Sequence, residues 1–233
     1  MKKQIWKYTS TKNEQFLFLH IPKTAGTTLR HMLTKHFNKE DVYPTDFHLM
    51  VNKGKYIKQQ ILIENRKDIL QKPLIMGHYN VRLIPHLSPG VKTIIFLRDP
   101  LERIKSHVKH IILKEPNFQD GDPNKIIESR FEVLTNLQAR ILGFNKRRPN
   151  LDQVLKNLEK ISFIGLTEDF FTSIERLNKQ LNWQLEYDNQ KKNTSPTQIK
   201  LDITQDTLVR LQEKIQPEIA VYNRAKELFS DRI

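Results

Sequence analysis

The sequence predicts an α/β fold: a single P-loop-like domain over residues 1–233, with a central parallel β-sheet flanked by helices and a helical C-terminal region. Three observations predict it. Short apolar runs alternate with segments of helical spacing, the junctions carry Pro, Gly, Thr and Asp, and no repeat, linker or compositional break divides the chain. With 233 residues, 38% hydrophobic and 28% charged, the chain can bury a real core, which excludes collagen-like, low-complexity and disordered classes.

The elements follow in order. Gln15 to His20 (QFLFLH) is an apolar strand that stops at Pro22, and after a small-residue turn Leu29, Met32, Leu33 and Phe37 recur at helical spacing. A lysine-rich helix runs from about Lys55 to Leu70 and ends before Pro73, and Leu74 to Met76 forms a second strand. Lys92 to Leu97 (KTIIFL) is the clearest strand, bounded by Pro89-Gly90 and Asp99-Pro100, with a helix from Leu101 to about Leu113. The Pro, Gly, Asn and Asp of Glu115 to Lys125 predict a surface loop. Helices are expected at Ile126 to Leu142 and Leu151 to Lys160, then a strand at Ser162 to Leu166, a helix from Glu168 to Leu181 and a last strand at Gln184 to Tyr187. The region from Thr204 to Phe229 is helical by its Leu208, Leu211, Ile215 spacing, with a break expected at Pro217.

Lysine and arginine number 39 against 26 acidic residues, a formal charge of +13. The basic residues are spread along the chain, as on solvated lysine-rich faces, instead of gathering in a nucleic-acid-binding arm. Such a field attracts anions, and a phosphorylated or sulfated small molecule satisfies it as well as a polynucleotide does. No apolar run of about 18 residues is present, and the start MKKQIWKYTSTKNEQ lacks an apolar signal core, so neither a membrane span nor export is expected. The absence of cysteine excludes disulfides, thiolate metal sites and cysteine nucleophiles and agrees with a reducing cytoplasm.

Two strand-to-helix turns carry the chemistry. The first is His20-Ile21-Pro22-Lys23-Thr24-Ala25-Gly26-Thr27-Thr28-Leu29. At the carboxyl end of a parallel strand, a helix N-terminus offers unpaired N–H groups to an anion; Lys23 adds a charge, Thr27 and Thr28 add hydroxyls, and Gly26 permits close approach or a positive φ. The bland reading is a helix start with threonine caps. The pattern departs from G-x-x-x-x-G-K-[ST], because Lys23 precedes Gly26, which disfavours Mg²⁺-dependent nucleotide hydrolysis.

The second turn is Leu97 to His107 (LRDPLERIKSH). Arg98 can fork onto a phosphate, and Ser106, two helical turns on, can present its hydroxyl to the same side. Taken alone, Asp99 as cap and Pro100 at the first helical position explain this turn equally well. Between the two turns His78 follows a strand end directly, on the side of the sheet where strand ends converge on the cleft, and the unperturbed pKa of an imidazole suits a general base. His20 is its competitor, although a packed role suits the end of a buried strand better.

Together, HIPKTAGTTL, then GH, then FLRDPLERIKSHV strongly resemble the sulfotransferases that use 3′-phosphoadenosine 5′-phosphosulfate (PAPS), in the family related to heparan sulfate 2-O-sulfotransferase, bacterial type. The resemblance runs from about residue 15 to 196. It implies that Lys23, Thr24, Ala25, Gly26, Thr27 and Thr28 bind the 5′-phosphosulfate, that Arg98 and Ser106 hold the 3′-phosphate, and that His78 is the base. Lys23 would also act catalytically on the leaving oxygen. Asn136-Leu137-Gln138-Ala139-Arg140 with Leu142-Gly143 looks like the family's segment near the acceptor cleft, and Phe163-Ile164-Gly165-Leu166-Thr167-Glu168 like its GLTE strand. Lys192-Asn193-Thr194-Ser195 is similar to the loop that closes over the nucleotide, which would add Asn193 and Ser195 to the donor site.

The implied reaction moves a sulfuryl group to a hydroxyl acceptor (a sugar, a lipid or polyketide, or a tyrosyl phenol), releases adenosine 3′,5′-bisphosphate and needs no metal. Animal relatives carry a membrane anchor and disulfides that this chain lacks, so a cytoplasmic enzyme is implied. The resemblance does not reach the C-terminal helices, the acceptor or the oligomeric state. The rival readings are a P-loop-type kinase, which would need a Mg²⁺-binding Asp and the missing G-K-[ST], and a basic module for polyanions or nucleic acid.

Overall fold

The computed structural model describes residues 14–44, 58–64, 66–118, 121–145, 147, 150–187 and 199–231, the side chains of 66 and 68 excepted. Strands β1 (Phe16–Leu19), β2 (Val42–Tyr43), β3 (Leu74–Gly77), β4 (Lys92–Leu97) and β5 (Phe163–Leu166) form a 5-stranded sheet in the order β2-β3-β1-β4-β5, with every neighbouring pair parallel. The helices are α1 (Gly26–His36), α2 (Gln59–Glu64), α3 (Arg66–Ile69), α4 (Pro100–Lys114), α5 (Pro123–Ser129), α6 (Phe131–Leu134), α7 (Leu137–Ile141), α8 (Leu151–Glu159), α9 (Phe170–Leu181), α10 (Gln205–Lys214) and α11 (Gln216–Asp231). This is the α/β class expected, with a helical C-terminus.

Alternation along β1 sends its side chains into two cores. Phe16 and Phe18 pack with Leu29, Leu33 and Phe37 around α1 and with Trp183, whereas Leu17 and Leu19 join Leu142, Leu158 and Val221 on the opposite face. A sheet covered on both faces explains why all four residues of FLFL are apolar and buried. A third cluster holds the outer part of α4, where Ile104, Val108 and Ile111 meet Ile126, Ile127, Leu134, Leu211 and Ile215. Through it the C-terminal helices are tied to the helix that follows β4.

The strand order also places the cleft. From β1 the chain goes to β2 and β3 on one side, then crosses to β4 and β5 on the other. The connections therefore diverge between β1 and β4, the position at which ligands bind outside the carboxyl ends of parallel strands. The two motif-bearing turns follow these two strands.

Several elements differ from expectation. Of the helix expected over Lys55 to Leu70, α2 and α3 are helical, and residues 55–57 and 65 lie outside the described residues. The helix expected over Ile126 to Leu142 breaks into α5, α6 and α7, the last break at Asn136, which takes φ 54°. Asparagine tolerates that left-handed conformation better than most residues. Part of the loop expected at Glu115 to Lys125 is ordered: Pro116–Phe118 is a 3₁₀ turn, and Asp122 caps α5 by accepting from Asn124 N at 2.8 Å.

Gln184 to Tyr187 is not a strand. Leu185 is instead clamped by Asn178, whose Nδ2 donates to Leu185 O at 3.0 Å while its Oδ1 accepts from Leu185 N at 2.8 Å. In the C-terminal region the break falls at Ile215, and Pro217 sits in the first turn of α11, where a missing N–H removes no helical bond. The two-residue strand β2 and the 3₁₀ turn Val81–His86 carry no periodicity that sequence reading could detect. No helix among the described residues is long and apolar enough to cross a membrane.

Candidate active site

The first turn is strained. Lys23 and Ala25 both take positive φ, 71° and 60°, a conformation that costs a non-glycine residue about 1–2 kcal/mol. Ala25 in the left-handed region, followed by helical Gly26, turns successive N–H groups toward a common side, the geometry of an anion-binding nest. The N–H groups of Gly26 and Thr27, the first two of α1, have no acceptor among the described residues. Thr24 is buried and its hydroxyl donates to Ile21 O at 3.0 Å, so it braces the loop; Thr27 is exposed and Thr28 half-buried.

Of the two reasons expected for Gly26, close backbone approach or a positive φ, the positive φ is not found. Its conformation is helical, but a Cβ there would fall 2.0 Å from His20 Cδ2. Glycine is required because the His20 ring lies against the helix start. That ring is buried, stacks on Phe18 with 5.5 Å between centroids and meets His78 at 4.6 Å. Burial, the neighbouring His78 and the charge of Arg30 push the His20 pKa down to about 3, so the ring is neutral at physiological pH.

His78 follows β3, exposed over part of its surface, with Nδ1 2.7 Å from the carbonyl oxygen of His20. Partial desolvation lowers its pKa from the usual imidazole value, the hydrogen bond to His20 opposes that shift, and Arg30 adds to it. The β1 and β3 strand ends thus present a pair of neutral imidazoles beside the Lys23 loop.

The second turn converges on the first. Arg98 donates from Nη1 to Lys23 O at 3.3 Å, and its Nε is buried without a hydrogen-bond partner among the described residues. Burial, and next the Arg98 charge, lower the Lys23 pKa. Asp99 caps α4 as expected, accepting from Leu101 N and Glu102 N at 3.0 Å each. Ser106 is half-buried two turns along this helix. Beside it His107 has a buried Nδ1 without a partner among the described residues; desolvation first, then the charges of Arg103 and Lys23, depress its pKa to about 4.

Other resembling segments serve this turn from behind. Gln138 is fully buried and clamps the Arg98 backbone, accepting from Arg98 N at 2.9 Å and donating to Arg98 O at 2.8 Å. Glu168 accepts from Asp99 N at 3.0 Å and from the Tyr222 hydroxyl at 2.8 Å. Asn136 donates to Lys214 O at 2.8 Å, and Arg140 donates to Glu132 O and Val133 O at 2.6 and 2.7 Å. Asn193 and Ser195 lie outside the described residues.

Sequence reading did not single out Arg30, His107, Glu218 or Tyr222. For Arg30 a signal existed, since it lies one turn past Gly26 on α1; for the others only the tertiary fold supplies one. A cavity of about 380 Å³ is lined by Thr27, Arg30, His31, Lys39 and Met76, and it shares Arg30 with the field around both imidazoles. A larger cavity of about 690 Å³, lined by Phe163, Arg176 and Phe229 among others, shares no residue with the expected site. Among the described residues no cluster of three or more His, Cys, Asp or Glu is placed to hold a metal ion.

A donor set of one lysine, one arginine, helix N–H groups and hydroxyls, with neutral imidazoles beside it, has the chemistry to bind an anion and to move a proton next to it. Comparison with curated proteins found no match. The model of the sulfotransferase family, enzymes that transfer sulfate to hydroxyl-bearing acceptors, matches residues 6–228, and the chain belongs to that family.

Proposed function

We propose that the chain works as one unit over residues 1–233 and moves the sulfuryl group of PAPS to a hydroxyl acceptor by in-line displacement, with His78 as general base. The observation that carries this reading is the 3.3 Å hydrogen bond from Arg98 to the Lys23 carbonyl, which joins two anion-binding turns at the strand ends where the sheet's connections diverge. Among the described residues Arg98 Nε and the first N–H groups of α1 have no partner, and these together with the wholly cationic and neutral donor set fit a ligand with two separate anionic groups. The cysteine-free sequence supports a reducing, cytoplasmic setting.

When bound, the donor would supply an electrophilic sulfur and a bisphosphate leaving group. Lys23 would hold the developing negative charge on the leaving oxygen, and its lowered pKa eases proton donation there. The N–H groups of Gly26 and Thr27, with the hydroxyls of Thr27 and Thr28, would orient the sulfuryl oxygens. Arg98 and Ser106 would grip the 3′-phosphate, binding energy remote from sulfur that fixes the line of attack. His78 would take the acceptor's proton on Nε2, since Nδ1 faces a carbonyl. The cavity lined by Thr27, Arg30 and Lys39 is where the acceptor would approach.

Titration calorimetry with adenosine 3′,5′-bisphosphate tests this reading. Binding that persists in EDTA is expected. No binding, or binding only with Mg²⁺, would overturn it and favour a kinase-type site.

A further inference from the structure

We infer that the C-terminal helix α11 positions Arg98 through two hydrogen-bond relays, with Glu218 and Tyr222 as positioning residues for donor recognition. The inference rests on the proposal that Arg98 grips the 3′-phosphate. Arg98 lies one residue past the end of β4, beyond the last ladder pair, Leu97 with Leu166. Its backbone groups are met by the Gln138 side chain, which both accepts from Arg98 N and donates to Arg98 O. Gln138 is held in turn: its own N–H donates to Glu218 Oε1 at 3.1 Å, and the same oxygen accepts from Arg103 Nε at 3.1 Å.

The second relay acts on the N–H of the peptide that joins Arg98 to Asp99. Asp99 N donates to Glu168, and the other oxygen of Glu168 accepts from the Tyr222 hydroxyl. Glu218 and Tyr222 are four residues apart, so they project from one face of α11 on consecutive turns. One helix thereby braces both peptides that aim the Arg98 side chain.

Stability alone is a poor reason for this arrangement. Both side chains of the Arg103–Glu218 pair are completely buried, and each keeps a buried polar atom, Arg103 Nη1 and Glu218 Oε2, without a partner among the described residues. Desolvating such a pair commonly cancels its attraction, and apolar replacements of similar volume are often neutral or stabilising. What apolar side chains cannot do is hold the Gln138 N–H and so fix the clamp on Arg98.

The test uses two variants of the full chain: Arg103→Met combined with Glu218→Leu, which removes one relay while keeping a packed interior, and Tyr222→Phe, which removes only the hydroxyl of the other. Calorimetry gives the Kd of adenosine 3′,5′-bisphosphate and of adenosine 5′-monophosphate, which lacks the 3′-phosphate, with folding checked by circular dichroism. Expected is a rise of about tenfold in the bisphosphate Kd, the equivalent of one charge-assisted hydrogen bond lost or misaligned, with the monophosphate Kd within twofold of native. Should the double variant fail to fold, Tyr222→Phe decides alone. Folded variants with an unchanged bisphosphate Kd, or with equal losses for both ligands, overturn the inference. Arg98→Ala separates the two failures: if it keeps the native preference for the bisphosphate, the reading of Arg98 itself falls; if it loses that preference while the relay variants do not, only the role of α11 falls.

Discussion

His78 Nδ1 lies 2.7 Å from the carbonyl oxygen of His20. A carbonyl only accepts, so Nδ1 carries the proton of the neutral ring, and Nε2 is left as the basic nitrogen. The backbone of the residue preceding the Lys23 loop thus sets the tautomer that a base needs. The two adjacent imidazoles have different tasks: His20, buried and with its pKa near 3, packs the loop, while partly exposed His78 can exchange a proton.

His78→Ala should lower turnover by about 10²–10⁴ while leaving bisphosphate affinity nearly intact, because a general base acts on the transition state and not on the bound donor. The pH profile adds a sign. Burial lowers the His78 pKa, so its basic form survives to lower pH, and the acid limb of activity should fall below the ordinary imidazole value of 6.5. His20 and His107, at about 3 and about 4, titrate too low to supply that limb. A profile flat through this range, with near-native turnover of His78→Ala, would remove His78 from the base role.

Arg98→Ala and Ser106→Ala should act on donor binding before turnover. For Arg98 the loss is expected at roughly 2–5 kcal/mol, the cost of removing one side of a desolvated charge pair. Adenosine 5′-phosphosulfate, without the 3′-phosphate, is the control: its affinity should hardly change. Equal losses with both donors would show that Arg98 acts elsewhere, and calorimetry with each ligand makes the comparison.

The fold and these motifs were legible because both lie in local sequence. Lys92–Leu97 is β-branched between two turns, and the Asp99-Pro100 cap is a matter of adjacent residues, so strand and cap occur where the pattern predicts. The relays behind Arg98 were not legible, since Gln138, Glu168, Glu218 and Tyr222 reach it from up to 124 positions away (222 minus 98) with no periodicity to announce it. The broken helices were missed for a related reason: Asn136 takes a left-handed φ while its side chain donates to Lys214 O, a partner visible only once the chain is folded. Gly26 stands out in the sequence for close approach or a positive φ; its φ is not positive, and the His20 ring from the preceding strand, which a Cβ would meet, has no local sequence signal.

Lys23→Ala should reduce turnover by at least about 10², with a smaller loss of donor affinity, since the charge acts mainly on the developing leaving-group anion. The left-handed φ of 71° makes alanine no better suited than lysine to this position, so the backbone strain remains and the side chain is what the substitution removes. Single-turnover kinetics isolate the chemical step. A rate unchanged there would place the leaving-group role on another cation, with Arg98 the nearest by its hydrogen bond to the same loop.

Gly26→Ala tests the packing beneath the site. At an ordinary helical position this exchange stabilises, because alanine loses less backbone entropy on folding. Here the new methyl would lie 2.0 Å from His20 Cδ2 and 2.3 Å from Nε2, well inside any allowed contact. The His20 ring cannot simply swing away, being stacked on Phe18 at 5.5 Å on one side and set 4.6 Å from His78 on the other. Overpacking of this kind costs about 1–3 kcal/mol, and a displaced His20 carries with it the carbonyl from which His78 takes its tautomer. Chemical denaturation should therefore show a loss of that size, and turnover should fall further than bisphosphate affinity. The double variant Gly26→Ala with His20→Ala removes the obstructing ring, so its stability should exceed the sum expected from the two single changes, a coupling that contacting residues show and distant ones do not. Additive losses, or a Gly26→Ala protein as stable as the native one, would mean that the ring is not what demands glycine at this position.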